Sequence, residues 1–256
     1  MKRTAAIAVL LAAVLAGSAS ANTAFIKYTG PGQYCGVAGF QVDFDDDGTW
    51  DRSYNGNVYT GDYKFAFDAS QSSKEAVDLL SDPFYAWCID VDQNAPTAWA
   101  TYEIKDLEQA PINDWAVMGD TRADSVRELF GRFRGLVNSV EEGEAFAAAL
   151  WEIVYEQDAS YDLDDGTLVM NGLDGGPQGH AKTIAEGWLG QLDGTESMFD
   201  DDVFALTNGT YQDFALTSPN YDEPPPIPEP VTTIGLLLGG AALTAYSRRR
   251  RTREGA

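Results

Sequence analysis

The C-terminal stretch of the chain restricts what the preceding residues can fold into. A proline-rich linker at 222–230 cannot form regular helix or sheet, because proline lacks a backbone N–H and has a fixed φ. An apolar segment at 231–247 follows and predicts a transmembrane helix. The basic residues at 248–256 predict a cytoplasmic tail by the positive-inside rule. The folded part of the chain must therefore lie before residue 222.

The apolar segment leaves one alternative open. Its apolar core at 231–246 has 16 residues and contains glycine and threonine, whereas a full span needs about 20 residues. A buried C-terminal helix of a soluble domain is the alternative. The proline linker and the arginines leave such a helix nothing to pack against, so we favour insertion into the membrane.

The N-terminus carries the features of a secretory signal peptide at 1–21. Two basic residues precede an apolar run at 5–16, and Ala-Ser-Ala at 19–21 fits the small-residue cleavage pattern. An uncleaved N-terminal anchor is the alternative, which the short apolar run disfavours. Both ends of the chain then predict one topology, in which residues 22–221 form a domain outside the cytoplasm.

A short motif precedes the apolar segment and consists of Pro228, Glu229 and Pro230. Five arginines follow the segment: Arg248, Arg249, Arg250, Arg251 and Arg253. In this order the three parts resemble the PEP-CTERM sorting signal of exported Gram-negative proteins. The resemblance covers about an eighth of the chain. It implies that an exosortase-type enzyme cuts the tail at the inner membrane and that the protein reaches the cell surface or extracellular matrix.

The chain between the two terminal signals is strongly acidic. Residues 22–230 contain 10 Lys and Arg against 39 Asp and Glu, a net charge of −29. Such a surface repels nucleic acid and anionic lipid, so we predict no nucleic-acid partner. Aromatic residues make up 12% of the chain, which argues against disorder.

Strand patterns dominate the first half and the end of the exported domain. Aromatic and β-branched residues predict strands at 37–44, 58–67, 84–91, 99–104, 203–206 and 211–216. The middle of the chain changes to helical spacing, which predicts helices at 121–137, 142–156 and 178–192. The predicted fold class is α+β: an antiparallel β-rich domain with two or three inserted helices, plus a C-terminal single-pass transmembrane helix.

The chain has two cysteines, Cys35 and Cys88. An even pair in an exported protein predicts a disulfide, and two free thiols are the alternative. The disulfide would close a loop of about 52 residues and stabilise the fold by about 3–4 kcal/mol on the loop-entropy model.

The residues around Cys88 and the helix at 145–155 resemble bacterial thioester domains. In that family a Cys thiol and a Gln amide form an internal thioester that acylates surface amines. Cys88 matches the family's cysteine, but Ala147 stands where the family has its glutamine. Alanine has no carboxamide, and Gln93 and Gln157 lie at other spacings. The resemblance therefore implies the fold of these domains, whereas the missing glutamine disfavours a thioester-type adhesin.

An acidic stretch matches the first part of a calcium-binding loop. Its four acids fall at loop positions 1, 3, 5 and 9, with glycine at position 6: Asp43, Asp45, Asp47 and Asp51. Position 12 is Tyr54 instead of the bidentate glutamate, so the loop needs a further ligand. A solvated hairpin turn is the alternative, since Asp-Gly is itself a hairpin signal. Calcium is thus the candidate cofactor.

The sequence contains no catalytic motif that we recognise. Its single histidine, His180, is predicted to be an exposed polar residue, and the Gly-x-Ser-x-Gly, His-Glu-x-x-His and phosphate-loop motifs are absent. Glu152 and Glu156 lie one helical turn apart, but such pairs arise by chance in a chain with 40 acids. We therefore predict that the protein is not an enzyme.

These observations predict an exported envelope or matrix protein. The resemblance to the PEP-CTERM proteins implies a structural or adhesive role linked to exopolysaccharide or biofilm. The first alternative is a calcium-dependent module that binds a polysaccharide, with aromatic side chains stacked on the sugars. A thioester-type adhesin and a hydrolase are the remaining alternatives.

Overall fold

The structure is a computed structural model that describes residues 22–45, 47–112, 117–156, 161–171, 173, 180–194 and 203–218. The predicted signal peptide, proline-rich linker, transmembrane segment and basic tail lie outside these residues. Within these ranges, no helix is both long enough and apolar enough to cross a bilayer.

The described part of the chain forms nine strands and four α-helices. The strands are β1 (Thr23–Pro31), β2 (Gly36–Val42), β3 (Arg52–Thr60), β4 (Asp62–Phe67), β5 (Phe84–Cys88), β6 (Ala100–Lys105), β7 (Leu168–Asn171), β8 (Val203–Thr207) and β9 (Phe214–Thr217). The helices are α1 (Lys74–Leu79), α2 (Gly119–Phe133), α3 (Val140–Tyr155) and α4 (Ala181–Leu189).

Six strands form a closed antiparallel barrel in the order β1-β4-β5-β9-β8-β6. Alternate residues of these strands point inward, which is why Ile26, Phe65 and Tyr102 are fully buried. The Phe214 ring lies among them, with its centroid 4.7 Å from that of Phe65 and 6.1 Å from that of Tyr102. Closure pairs every strand on both sides, so this sheet has no free edge.

The other three strands form a separate antiparallel sheet in the order β3-β2-β7. Helix α3 packs against this sheet through aromatic contacts. The ring centroids of Phe40 and Trp151 are 5.3 Å apart, and those of Phe44 and Tyr155 are 5.8 Å apart. Residues on nearly every face of α3 are buried, as expected for a helix enclosed by other elements.

The chain passes from the small sheet to the barrel at Gly61. The prediction of one continuous strand at 58–67 is therefore wrong, because β3 ends at Thr60 and β4 begins at Asp62 in the other sheet. Gly61 has a φ of 146°, and a Cβ there would overlap the backbone of Tyr34 and Cys35. Glycine permits both the turn and this close approach.

The structure confirms the coarse prediction of an antiparallel β-rich fold with helices inserted in the middle of the chain. Helices α2 and α3 each begin two residues before their predicted spans and end inside them. Helix α4 lies entirely inside its predicted span. Three elements were not predicted: β1, α1 and β7. Helix α1 has only six residues and buries only Ala76, so it has no detectable apolar period.

Gly143 allows the 34–36 segment to lie directly on α3. A Cβ at Gly143 would overlap the carbonyl oxygen of Tyr34, whereas a Cβ at the exposed helical residue Gly187 meets nothing. We expect Gly143→Ala to lower the free energy of unfolding by about 1–3 kcal/mol through overpacking. Gly187→Ala is the matched control and should raise it by up to about 1 kcal/mol through helix propensity. Urea unfolding measures both, and equal effects of the two substitutions would contradict this packing.

Candidate binding cleft

A cleft of about 520 Å³ lies where the barrel meets the three-stranded sheet. Both sheets, α3 and two loops contribute residues to its lining. These residues are Tyr28, Phe40, Tyr54, Val58, Tyr59, Tyr63, Val91, Asp92, Gln93, Asn94, Ala95, Thr97, Trp151 and Gln212. Aromatic rings with a few convergent amides are the composition that small-ligand and cofactor sites favour.

Contacts between aromatic rings form the walls of the cleft. The Phe40 ring lies between those of Tyr54 and Trp151, at centroid distances of 4.8 and 5.3 Å. The Tyr28 and Tyr63 rings are 5.5 Å apart. The Trp151 indole N–H donates to the carbonyl oxygen of Cys88 at 2.9 Å, which fixes the ring on the barrel. These side chains therefore have defined positions before any ligand binds.

The loop at 89–97 forms the polar side of the cleft and is held from several directions. The Val91 N–H donates to the Tyr155 hydroxyl of α3 at 2.9 Å. The Gln212 side-chain amide donates to the carbonyl oxygen of Asp90 at 2.9 Å, and its backbone N–H donates to that of Asn94 at 3.2 Å. The position of this loop is therefore fixed by hydrogen bonds to both α3 and the β8–β9 connection.

A buried carboxylate fixes the β8–β9 connection beside Gln212. Asp213 is fully buried and accepts the backbone N–H groups of Asn208 and Ile112 at 2.6 and 2.7 Å. Burial raises the pKa of Asp213 to about 7. The folded protein thus binds this proton more tightly than the unfolded chain does, and this contribution to stability is lost as the pH rises through about 7.

Two polar atoms of the cleft have no hydrogen-bond partner among the residues that the structure describes. They are the hydroxyl oxygen of Tyr28 and the side-chain carbonyl oxygen of Gln93, and both atoms are buried. Burial, followed by the Coulombic interactions with Cys35 and Tyr59, raises the pKa of Tyr28 to about 12, so the hydroxyl keeps its proton. Buried polar atoms are rarely left without a partner, so these two require an explanation.

Asp92 is the single charged residue in the cleft lining, and it is already paired. Arg52 donates from its Nε to the Asp92 carboxylate at 2.7 Å, and its guanidinium lies 6.0 Å from the centroid of the Phe44 ring. Arg52 opens β3 and directly follows Asp51 of the predicted calcium loop. The edge of the cleft is thus connected to the β2–β3 turn.

The β2–β3 turn brings together three of the four predicted calcium ligands. Carboxylate oxygens of Asp43, Asp45 and Asp51 lie within 4.8 Å of one another, the only such acidic group within the described ranges. Asp43 is buried and also accepts the Gly48 N–H at 2.7 Å. Desolvation and the charges of Asp47 and Asp51 raise the pKa of Asp45.

The fourth predicted ligand, Asp47, lies outside this group, and its carboxylate accepts the Thr49 N–H at 2.8 Å. The acidic stretch does form the hairpin connection between β2 and β3, as the alternative interpretation expected. The three convergent carboxylates remain suited to a hard cation with oxygen ligands, and calcium binding stays a prediction.

The two cysteines are free thiols in the structure, so the predicted disulfide is not formed. Each thiol contacts a nearby carbonyl oxygen: Cys35 that of Gly36 at 3.6 Å, and Cys88 that of Asp90 at 3.3 Å. Burial, then the charges of Asp62 and Glu144, raises the pKa of Cys35 to about 12. Burial also raises the pKa of Cys88. Disulfide exchange needs a thiolate, which both environments disfavour.

A thioester at Cys88 would need a glutamine on α3 at position 147, and the described residues provide none there. Ala147 is buried on α3 and has no carboxamide, and Gln93 lines the cleft instead. Gln157 lies outside the described residues. A protonated, buried thiol is also a weak nucleophile, which further disfavours this chemistry at Cys88.

The residues considered for catalysis have structural partners. His180 is exposed, and its backbone N–H donates to the Glu141 carboxylate at 3.0 Å. Glu152 accepts the Asp162 N–H at 2.8 Å, and Glu156 accepts the Thr167 N–H at 3.1 Å. Both glutamates thus hold the chain that follows α3.

No protein family, no curated protein and no solved structure matches the chain. The functional inference therefore rests on the geometry of the cleft. Sequence reasoning did not predict the cleft or β1, although Ile26 and Tyr28 alternate with the polar residues Lys27 and Thr29.

Calcium binding can be tested by thermal unfolding. Several millimolar calcium should raise the Tm by about 2–8 °C, because a cation that binds only the folded state stabilises it by mass action. Asp45→Asn should abolish the shift. Asp164→Asn, in an acidic turn outside this group, should keep it. An unchanged Tm in calcium, or an equal shift in Asp45→Asn, would contradict the prediction.

Proposed function

We propose that the domain binds a polysaccharide in the aromatic cleft and that this binding gives the protein an adhesive role in the extracellular matrix. The observation that carries the proposal is the combination of aromatic rings and hydrogen-bonding groups in one preformed cleft. A sugar ring has apolar C–H faces and a rim of hydroxyl groups. The tyrosine and tryptophan rings suit the faces, and the amides and hydroxyls of the lining suit the rim.

Tyr59 and Tyr54 are the residues best placed to stack on a sugar chain. Both belong to β3, and Tyr59 is 47% exposed at the mouth of the cleft. The Tyr63 hydroxyl donates to the carbonyl oxygen of Tyr59 at 2.9 Å, which fixes the backbone under this ring. An exposed tyrosine ring on a fixed backbone loses little entropy when it stacks on a ligand, because its side chain has only two rotatable bonds.

In its more specific form, the proposal is that sugar binding in the cleft depends on calcium. A cation held by Asp43, Asp45 and Asp51 would order the turn that directly precedes Arg52. Arg52 pairs with Asp92 in the lining, so an ordered turn would also fix the position of Asp92 at the edge of the cleft. Binding of sugar would then weaken when calcium is removed.

Export and sorting complete the proposal and are supported by the sequence alone. The signal peptide at 1–21 and the tail from Pro228 to Arg253 would place the domain outside the inner membrane until an exosortase-type enzyme cuts the tail.

Cleavage of the tail can be followed with an epitope tag at the C-terminus. We expect the extracellular wild-type protein to lack the tag and the Glu229→Ala variant to keep it, because the variant disrupts the sorting motif. A secreted protein that keeps its tag would contradict the sorting proposal.

Substitution of the exposed tyrosine tests the binding proposal. Tyr59→Ala should weaken binding to matrix polysaccharide by about fivefold, since loss of one stacking contact costs on the order of 1 kcal/mol. The matched control is Tyr85→Ala, which removes a tyrosine of similar exposure, 41%, outside the cleft. Affinity electrophoresis against a polysaccharide panel measures the effect, and equal mobility of both variants and the wild type would contradict the proposal.

A further inference from the structure

The parts of the cleft lining that a ligand can touch include tyrosine rings of β3 and short polar side chains of the 89–97 loop. On β3, Tyr59 is 47% exposed and Tyr54 is half-buried. On the loop, Asn94 and Thr97 are exposed. Proline-rich peptides dock on surfaces of this kind, because their rings pack on aromatic side chains and their backbone favours a preformed polyproline II helix.

The chain carries such a proline-rich segment shortly after its last described strand. Residues 224–230 read Pro-Pro-Pro-Ile-Pro-Glu-Pro, and they lie outside the described residues. A proline has a carbonyl oxygen that accepts hydrogen bonds and no backbone N–H that donates one. The segment therefore complements side chains that can donate, such as the amide of Asn94 and the hydroxyl of Thr97.

The charge of the segment is compatible with the cleft. The lining, all of which the structure describes, contains no Lys, Arg or His, and its one carboxylate, Asp92, is paired with Arg52. Residues 22–230 have a net charge of −29, so an acidic ligand would be repelled. Residues 224–228 are five consecutive uncharged residues with an acid on either side. This run can enter the cleft while both acids stay in solvent.

The connecting chain is long enough for the segment to reach the cleft. Gln212 lines the cleft, and the chain runs from there through β9 to Ser218, where the described residues end. A strand rises about 3.3 Å per residue, so Ser218 lies at most about 20 Å from Gln212. Six further residues lead to Pro224 and span about 20 Å when extended. The proline-rich segment can therefore fold back to the cleft of its own chain.

We propose that the proline-rich segment at 224–230 docks in the aromatic cleft of its own chain, with proline rings on Tyr54 and Tyr59. A short linker gives the segment a millimolar effective concentration, so weak contacts suffice. With a Kd of about 0.1 mM for the free peptide and an effective concentration of about 1 mM, the segment occupies about 90% of the clefts.

Docking of the segment restricts access of other ligands to the cleft. The effect on sugar binding rests on the proposed function, whereas the docking itself does not. A polysaccharide would compete with the segment for the same tyrosine rings. If about a tenth of the clefts are open, the apparent affinity for the polysaccharide falls about tenfold. The cleft would then bind sugar at full affinity only after the segment is displaced or removed.

Photo-crosslinking of the full-length chain in detergent tests whether the segment occupies the cleft. The protein is produced in a host that lacks a sorting enzyme, so the tail stays attached, and Tyr59 is replaced by the photoreactive amino acid benzoylphenylalanine. Mass spectrometry of the monomeric product should find crosslinks to residues 224–230. The same replacement at Tyr85, which is 41% exposed and outside the cleft, is the matched control and should give none.

A synthetic peptide with the sequence of residues 222–230 gives the second measurement. The comparison uses an open variant of the full-length chain that carries Pro224→Ser, Pro225→Ser, Pro226→Ser and Pro228→Ser. We expect the wild type to bind the peptide about tenfold more weakly than the open variant, because its own segment occupies the cleft. In the open variant, Tyr59→Ala should weaken peptide binding about fivefold, and Tyr85→Ala should leave it unchanged.

The possible failures point to different errors. Crosslinks between two chains would assign the occupant to a second copy and overturn docking within one chain. No crosslink from position 59, together with equal peptide affinity in the wild type and the open variant, would overturn docking altogether. Crosslinks within one chain, with no binding of any polysaccharide by either form, would overturn the proposed function and leave the docking intact. Equal polysaccharide affinity in both forms, without a crosslink, would overturn the docking and leave the proposed function intact.

Discussion

The burial of α3 is the constraint on which the rest of the fold depends. Twelve of its 16 residues are buried, so the helix must be covered on almost every side. Phe40 of the small sheet covers Trp151, and Trp87 of the barrel lies 4.5 Å from Phe146, measured between ring centroids. One apolar helix thus joins two sheets that share no strand. Two of its polar groups, the Trp151 indole and the Tyr155 hydroxyl, also hydrogen-bond to the barrel side of the cleft.

The cleft follows from this arrangement. The barrel and the small sheet both pack on this helix, and the chain crosses between them at Gly61. The gap that remains is lined by rings from both sheets, while the 89–97 loop supplies the amides. The same contacts that stabilise the fold therefore hold the lining in place, so a ligand would meet a surface that is already organised.

Helices were predictable from the sequence because α2 and α3 repeat apolar residues at helical spacing over many residues. The break at Gly61 was missed because Tyr59 and Phe67 share one alternating pattern across the two strands. The cleft could not be predicted, since its lining runs from Tyr28 to Gln212 and no local pattern joins such distant residues. The sequence likewise could not show whether Cys35 and Cys88 form a disulfide. Disulfide formation depends on how close the thiols are and on the burial that keeps each thiol protonated.

The most direct test of sugar binding in the cleft is an NMR titration of the isotopically labelled protein with a neutral glucose hexasaccharide that binds. The account predicts chemical-shift changes concentrated on the Gln93 side-chain amide and the Trp151 indole N–H, both of which lie in the lining. The exposed indole of Trp99, which stacks on Phe25 outside the cleft, should show none. Changes at Trp99 with unchanged Gln93 and Trp151 signals would contradict the account.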